Sequence, residues 1–150
     1  MFSDKLIKLL THSFIALNQS NFFTNTKENL TEGQFAVICE FAENYKFVLQ
    51  DELKSFHWNN SQATILPFVI YYKSENELVS TSFIIISDCR DHDAISVHLF
   101  IKRTITFLKL QFSQIFKLYY FSDGASSQLK NRKNFITLCK HVEDFDILAE

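Results

Sequence analysis

The sequence predicts a mixed α/β domain, a sheet with helices packed against it, and three observations carry that expectation. Two β runs, Thr64 to Tyr72 and Leu78 to Ser87, are joined by the polar stretch Lys73 to Glu77, which suits a hairpin loop. A helix, a strand and a second helix follow in alternation, an order that lays helices on a sheet. The 150 residues are 47% hydrophobic with 17 phenylalanines, enough apolar matter for a single packed core. Only two glycines and one proline are present, so repeat, collagen-like and low-complexity architectures are excluded and tight turns fall to Asn, Ser, Asp and Lys.

Leu6, Leu10, Phe14 and Leu17 recur at three- and four-residue steps, with Ile7 and Ile15 widening the stripe, so residues 4 to about 24 read as an amphipathic helix. Asn25 to Gly33 is a polar connector, and residues 1–33 form an N-terminal unit ahead of a core spanning 34–150. Gln34 to Phe41 is a near-continuous apolar run, the pattern of a central strand covered on both faces, with Glu40 near its carboxyl end. Residues 43–63 are amphipathic but irregular and read as an insertion with room for one short strand. Pro67 inside the next β run predicts an edge strand or a bulge there. From Asp91 to Phe112, Ala94, Val97, Ile101, Ile105 and Leu108 share one helical face, with Asp91 or Asp93 as cap. A strand over Ile115 to Ser122 and a helix over residues 126–141, using Leu129, Phe135, Ile136 and Cys139, complete the order.

The most informative junction is Ser122 to Gln128, where an aromatic strand breaks into a polar turn at Asp123. The plainer reading is that Asp123 opens the turn or caps the helix after it. The functional reading places its carboxylate on the rim at the carboxyl ends of the strands, where open α/β folds bind ligands and metal ions. If the strand ending at Glu40 and the strand ending at Asp123 are parallel neighbours, the two acids stand about 5 Å apart. Such a pair offers Mg²⁺ or Mn²⁺ the hard oxygen ligands that phosphoryl transfer uses. Asp88 ends another β run; with the hairpin beside the first strand it falls two strands, roughly 10 Å, from Glu40 and ranks behind.

Lys130, Arg132 and Lys133 follow Asp123 and suit a phosphate backbone, though a solvated helix face has the same composition. Trp58, beside His57, offers a stacking surface for a base or an anchor for the insertion. Cys89 with His92 and Cys139 with His141 include the ligand types zinc prefers, but the spacing of each pair is loose and nothing in the sequence joins them. His12, His57 and His98 read as surface or satisfied core residues. Neither a glycine-rich phosphate loop nor a nucleophile elbow is present.

A formal net charge of −2 gives no global pull toward polyanions, so contact with DNA requires a local patch or a metal ion. The first residues contain an acid and no continuous apolar run, which predicts neither a signal peptide nor a membrane span. Three widely spaced cysteines suit reduced thiols, and the expected location is nuclear or cytoplasmic rather than secreted.

Several blocks in order resemble a family of repetitive proteins in animal genomes associated with mobile elements: Phe41-Ala42-Glu43-Asn44-Tyr45, Gln50-Asp51-Glu52, His57 to Thr64, Pro67-Phe68-Val69, Ile86-Ser87-Asp88, and Tyr120 to Gly124 with Gln128, Lys130-Asn131 and Asn134-Phe135. The Ser-Asp-Gly turn after an apolar strand also resembles the second acidic motif of ribonuclease H-like nucleases, integrases and DDE transposases. This resemblance, covering roughly residues 10 to 150, implies a ribonuclease H-like sheet in which the first acid ends the first strand and the second ends the fourth, here Glu40 and Asp123. It implies a Mg²⁺ or Mn²⁺ cofactor and DNA cleavage or strand transfer as the ancestral activity. Two departures stand out. Glu40 occupies a position where the family pattern has Asp, and the family continues past Ala149-Glu150 into a segment that completes the sheet and supplies a third acid. Glu150, as the last residue, is expected to fray and to substitute poorly. The resulting expectation is a truncated or degenerate transposase-like domain, inactive as this chain. The alternative is a non-enzymatic nucleic-acid-binding or assembly module that self-associates through an exposed sheet edge.

Overall fold

The sheet is organised around β1 (Gln34–Cys39), whose two sides in the sheet are both occupied. On one side β3 (Gln62–Ser74) runs antiparallel to it, with Phe35 opposite Tyr72 and Cys39 opposite Phe68; on the other β5 (Lys117–Phe121) runs parallel, with Ile38 opposite Phe121. The computed structural model describes residues 2–42, 44–47, 62–122 and 129–150, with side chains from Lys5 onward. The other elements are α1 (Phe2–Glu28), the two-residue β2 (Tyr45–Lys46), β4 (Glu77–Ser87), α2 (Ala94–Gln111), α3 (Arg132–Cys139), α4 (His141–Phe145) and β6 (Leu148–Ala149). The long strands lie in the order β4-β3-β1-β5, with β6 parallel to β5 beyond it and β2 paired to the start of β3. The α/β class expected from the sequence is the class observed.

Alternation along the strands sorts the core. Phe35, Val37 and Cys39 of β1, Leu66, Phe68 and Ile70 of β3 and Leu118 of β5 turn to one face, where Val97, Phe100, Ile101, Ile105 and Leu108 of α2 bury them. Val97, Ile101, Ile105 and Leu108 are buried as their spacing predicts, Phe100 joins them and Ala94 is only half-buried, and of the two candidate caps it is Asp93 that accepts from the Ser96 amide, at 2.8 Å. That hydrogen bond holds the Asp93 carboxyl below the usual carboxylate range.

Four expectations change. The hairpin loop is two residues long, Glu75 and Asn76, and not five: both have positive φ (52° and 67°), the twist that joins two antiparallel strands directly. Pro67 lies in β3, an interior strand without a bulge, paired continuously with β4 from Thr64 to Ser74. The proline is tolerated because the β1 ladder has ended at Cys39, one residue before it comes level with Pro67. The helix expected over 126–141 starts only at Arg132, where Asn131 accepts from the Lys133 and Asn134 amides. It breaks at Lys140 into α4, which Asp146 ends in the left-handed conformation. Residues 123–128 lie outside the described residues. Last, Glu150 is tied to β5: its amide donates to Leu118, its carbonyl accepts from Tyr120, and its carboxylate pairs with Lys117.

The helix α1 is longer than predicted, and its stripe does not face the core. Its ring contacts with the sheet come from Phe22 and Phe23, against Phe121 and Tyr71, while Leu6, Leu10, Phe14 and Leu17 are exposed. No described helix is long and apolar enough to cross a membrane.

Gly33 makes the turn into β1 at φ +78°, and its carbonyl accepts from the Phe116 amide at 2.7 Å. A Cβ there would stand 2.4 Å from the Phe116 ring. Gly33→Ala is therefore expected to lower the unfolding free energy by about 1–2 kcal/mol from the left-handed backbone alone, read by urea denaturation. Gly33→Ala/Phe116→Leu is expected to recover only the part due to the ring contact.

Candidate functional site

Parallel pairing of β1 with β5 brings their carboxyl ends to one rim of the sheet. Glu40 follows β1 directly and is exposed, and Ser122 follows β5. Asp123 lies outside the described residues, as do Glu43, His57, Trp58 and most of the expected insertion. Asp88 follows β4, which is separated from β1 by β3, so it stands two strands from Glu40 as expected for a hairpin packed in this order.

The chain just past Glu40 is fastened at three successive points. The Phe41 ring stacks on His92 with centroids 4.4 Å apart and meets Phe100 edge-on. The Ala42 amide donates to the Ile65 carbonyl at 3.0 Å, continuing the line of β1 along β3. Asn44 Oδ1 accepts from the fully buried Thr64 hydroxyl at 2.9 Å and lies 2.9 Å from His92 Nε2. Thus His92 belongs to a network with Asn44 and Thr64 and not to a pair with Cys89. A ring nitrogen placed against the Asn44 carbonyl oxygen is a donor there, so it is not a free metal ligand.

A second network lies on the core side of β5. Tyr120 donates its hydroxyl to His141 Nε2 at 3.0 Å, and His141 Nδ1 donates to the Ile147 carbonyl at 2.7 Å. His141 is fully buried and burial lowers its pKa, which keeps the ring neutral; burial also pushes the Tyr120 phenol upward, so it stays a donor. With both ring nitrogens engaged, His141 is not available to zinc, and among the described residues no group of three His, Cys, Asp or Glu side chains is placed to hold a metal ion. Neither network was legible in the sequence, because 48 residues separate His92 from Asn44 and 21 separate His141 from Tyr120.

Between the end of α1, the rim and α3 lies a cavity of about 800 Å³. Phe22 and Phe23 form one wall and Ile38, Cys39, Tyr120 and Phe121 the floor, while polar groups reach it from α1 (Asn18, Gln19, Ser20) and from Lys130 and Asn134 on the other side. Lys130 is the only one of the three predicted basic contacts that reaches this cavity; Arg132 and Lys133 are exposed in the first turn of α3. Asn134 itself is held by donating to the Leu129 carbonyl at 3.0 Å.

This fold and rim fall in a recognised family. Residues 19–150 match the model of the family described as Domain of unknown function DUF8701, and the chain belongs to that family. No curated protein and no solved structure matches the chain.

Two outcomes follow from the networks. Because the folded state keeps His141 neutral while the unfolded chain takes up a proton near pH 6.5, its contribution to stability is complete above that pH and declines as the pH falls through and below it. The urea midpoint of the wild type is expected to fall between about pH 7.5 and about pH 5.5 more steeply than that of His141→Gln, compared across the same range. Asn44→Ala, which removes the oxygen that the Thr64 hydroxyl and His92 Nε2 share, is expected to cost about 1–2 kcal/mol by urea denaturation, and Asn44→Asp less.

Proposed function

We propose that the chain is a transposase-derived, ribonuclease H-like domain whose rim binds a divalent cation and nucleic-acid phosphate without cleaving strands by itself. The observation that carries this reading is the register of β1 against β5. Ile38 lies opposite Phe121 in parallel strands, and in the sequence one acid, Glu40 or Asp123, comes two residues after each. Two antiparallel strands on the far side of β1 and a helix leading into β5 support it further, because the first acid then ends the first strand and the second follows the fourth long strand.

The donor set suits Mg²⁺ or Mn²⁺ in a limited way. Magnesium is held by one or two carboxylates, with waters and substrate phosphates filling the remaining positions, so Glu40 and Asp123 make a sufficient protein share for binding. Such an ion, when bound, neutralises phosphate charge and orients the backbone of a nucleic acid. The longer Glu40 side chain, on an exposed position, holds a cation less rigidly than Asp would, which favours binding over catalysis. Lys130 on the cavity wall and Arg132 and Lys133 beside it supply cationic contacts for the phosphates that follow.

Titration with Mn²⁺, followed by paramagnetic broadening of amide resonances, is expected to bleach signals around Glu40 and Asp123 first, and Glu40→Gln or Asp123→Asn to abolish the effect. No selective broadening at millimolar metal would overturn the reading. Replacing Lys130, Arg132 and Lys133 together by Ala is expected to weaken DNA binding and to reduce the slope of log K against log salt by up to about 3, at roughly one for each phosphate that no longer meets a cation. Supercoiled plasmid is expected to remain uncut under the same conditions.

A further inference from the structure

The part of α1 that precedes Phe22 has no role in the core, yet it is built for contact. Phe14 is 69% exposed, Leu17 64%, and Ile7 and Leu10 61% each. From Leu9 to Thr26 the helix contains no charged residue, whereas a helix face meant for water is ordinarily dressed with Lys, Glu or Arg. At 1.5 Å per residue the 27-residue helix is about 40 Å long, and among the described residues its ring and cation contacts with the sheet come from Phe22, Phe23 and Lys27. A free stretch of this length, with Asn, Ser and Thr among its residues, is marginal as a helix in water and needs tertiary or quaternary packing to persist.

We propose that α1 pairs with α1 of a second copy of this chain, antiparallel, through Leu6, Ile7, Leu10, Phe14 and Leu17. By the helical period, these side chains lie on nearly the opposite side of the helix from the face that Phe22 and Phe23 turn to their own sheet, so one helix can serve both contacts. The stripe is self-complementary, as a two-fold interface requires. In an antiparallel pair centred at the level of His12, Ile7 of each copy meets Leu17 of the other, and Leu10 meets Phe14. The exposed area of these five side chains amounts to roughly 500–600 Å² per copy, so two copies bury about 1,000–1,200 Å², the lower end of the range for a specific interface. A lipid surface is a poorer occupant, because an interfacial helix carries a strongly charged opposite face and α1 has charged residues only at its two ends, Asp4, Lys5 and Lys8, then Lys27 and Glu28. The stripe lies ahead of residues 19–150, the part that matches the family model, and its pairing does not rest on the metal-binding reading.

Size-exclusion chromatography with light scattering at about 50 µM is expected to give twice the 17.6 kDa chain mass. Leu10→Glu/Leu17→Glu is expected to raise the dimer dissociation constant by at least roughly a hundredfold, and Phe14→Ser alone by about tenfold, with the thermal midpoint of the folded body retained. Ile84→Lys, on the exposed edge strand β4, is expected to leave the dimer intact. A wild type that is monomeric at that concentration overturns the proposal, as does a dimer that persists in both α1 variants. A dimer abolished by Ile84→Lys, or a monomer that co-sediments with phosphatidylserine vesicles through α1, overturns it as well.

Discussion

The parallel pairing of β1 with β5 is the constraint on which the remaining structure depends. Strands that run in the same direction cannot be joined by a tight turn, so the chain between them must travel out and back. It does so by adding β3 and β4 to the far side of β1 and then crossing the sheet with α2. The crossover is also the core: α2 brings Val97, Phe100, Ile101, Ile105 and Leu108 down on the face made by Phe35, Val37, Leu66, Phe68 and Leu118. The pairing therefore decides both what is buried and which strand ends share a rim. Removing the α2 stripe would leave the inner side chains of three strands in water at once.

The rim inherits its order from that core. Phe41 is clasped between His92 and Phe100, and Phe100 belongs to the α2 stripe, so the segment after Glu40 is joined directly to the main packing. Asn44 and Thr64 close the same segment with a partly buried hydrogen bond, and losing one partner of such a bond costs more than the intact bond contributes. Glu40 consequently leaves a well-anchored backbone while its side chain remains exposed. On the other side of the rim, Tyr120 and His141 fix α4 to β5 and carry the chain into β6.

How much of this was legible follows from the range of the interactions. The α2 stripe, its cap region, the hairpin strands and the central strand all rest on local periodicity, and each was readable from residues within a few turns or steps of one another. Register and neighbourhood were partly readable: placing Glu40 and Asp88 two strands apart required only that the hairpin pack beside the first strand. The networks of His92 and His141 were not readable, since their partners come from distant segments and a histidine gives the same signal whether it ligates a metal or bonds a carbonyl. The stripe of α1 was readable as a stripe, but its partner was not. Periodicity shows that a face is apolar, but not what covers it, and here the chain's own core does not.

Pro67 shows how a local rule that failed for one strand explains another. It was expected to mark an edge or a bulge, and β3 is neither. The register that sets Cys39 opposite Phe68 carries Glu40 level with Pro67, and Ala42 donating to Ile65 puts the backbone groups of Ile65 and Pro67 on the same side. On that side Pro67 has no N–H to offer the Glu40 carbonyl. The ladder between β1 and β3 therefore lacks a bond at the level of Glu40 and resumes at Ala42, and β1 ends at Cys39 although its neighbour continues. The proline does not break the strand that contains it. It ends the strand beside it, and in doing so sets the carboxylate of Glu40 at the rim instead of within the sheet.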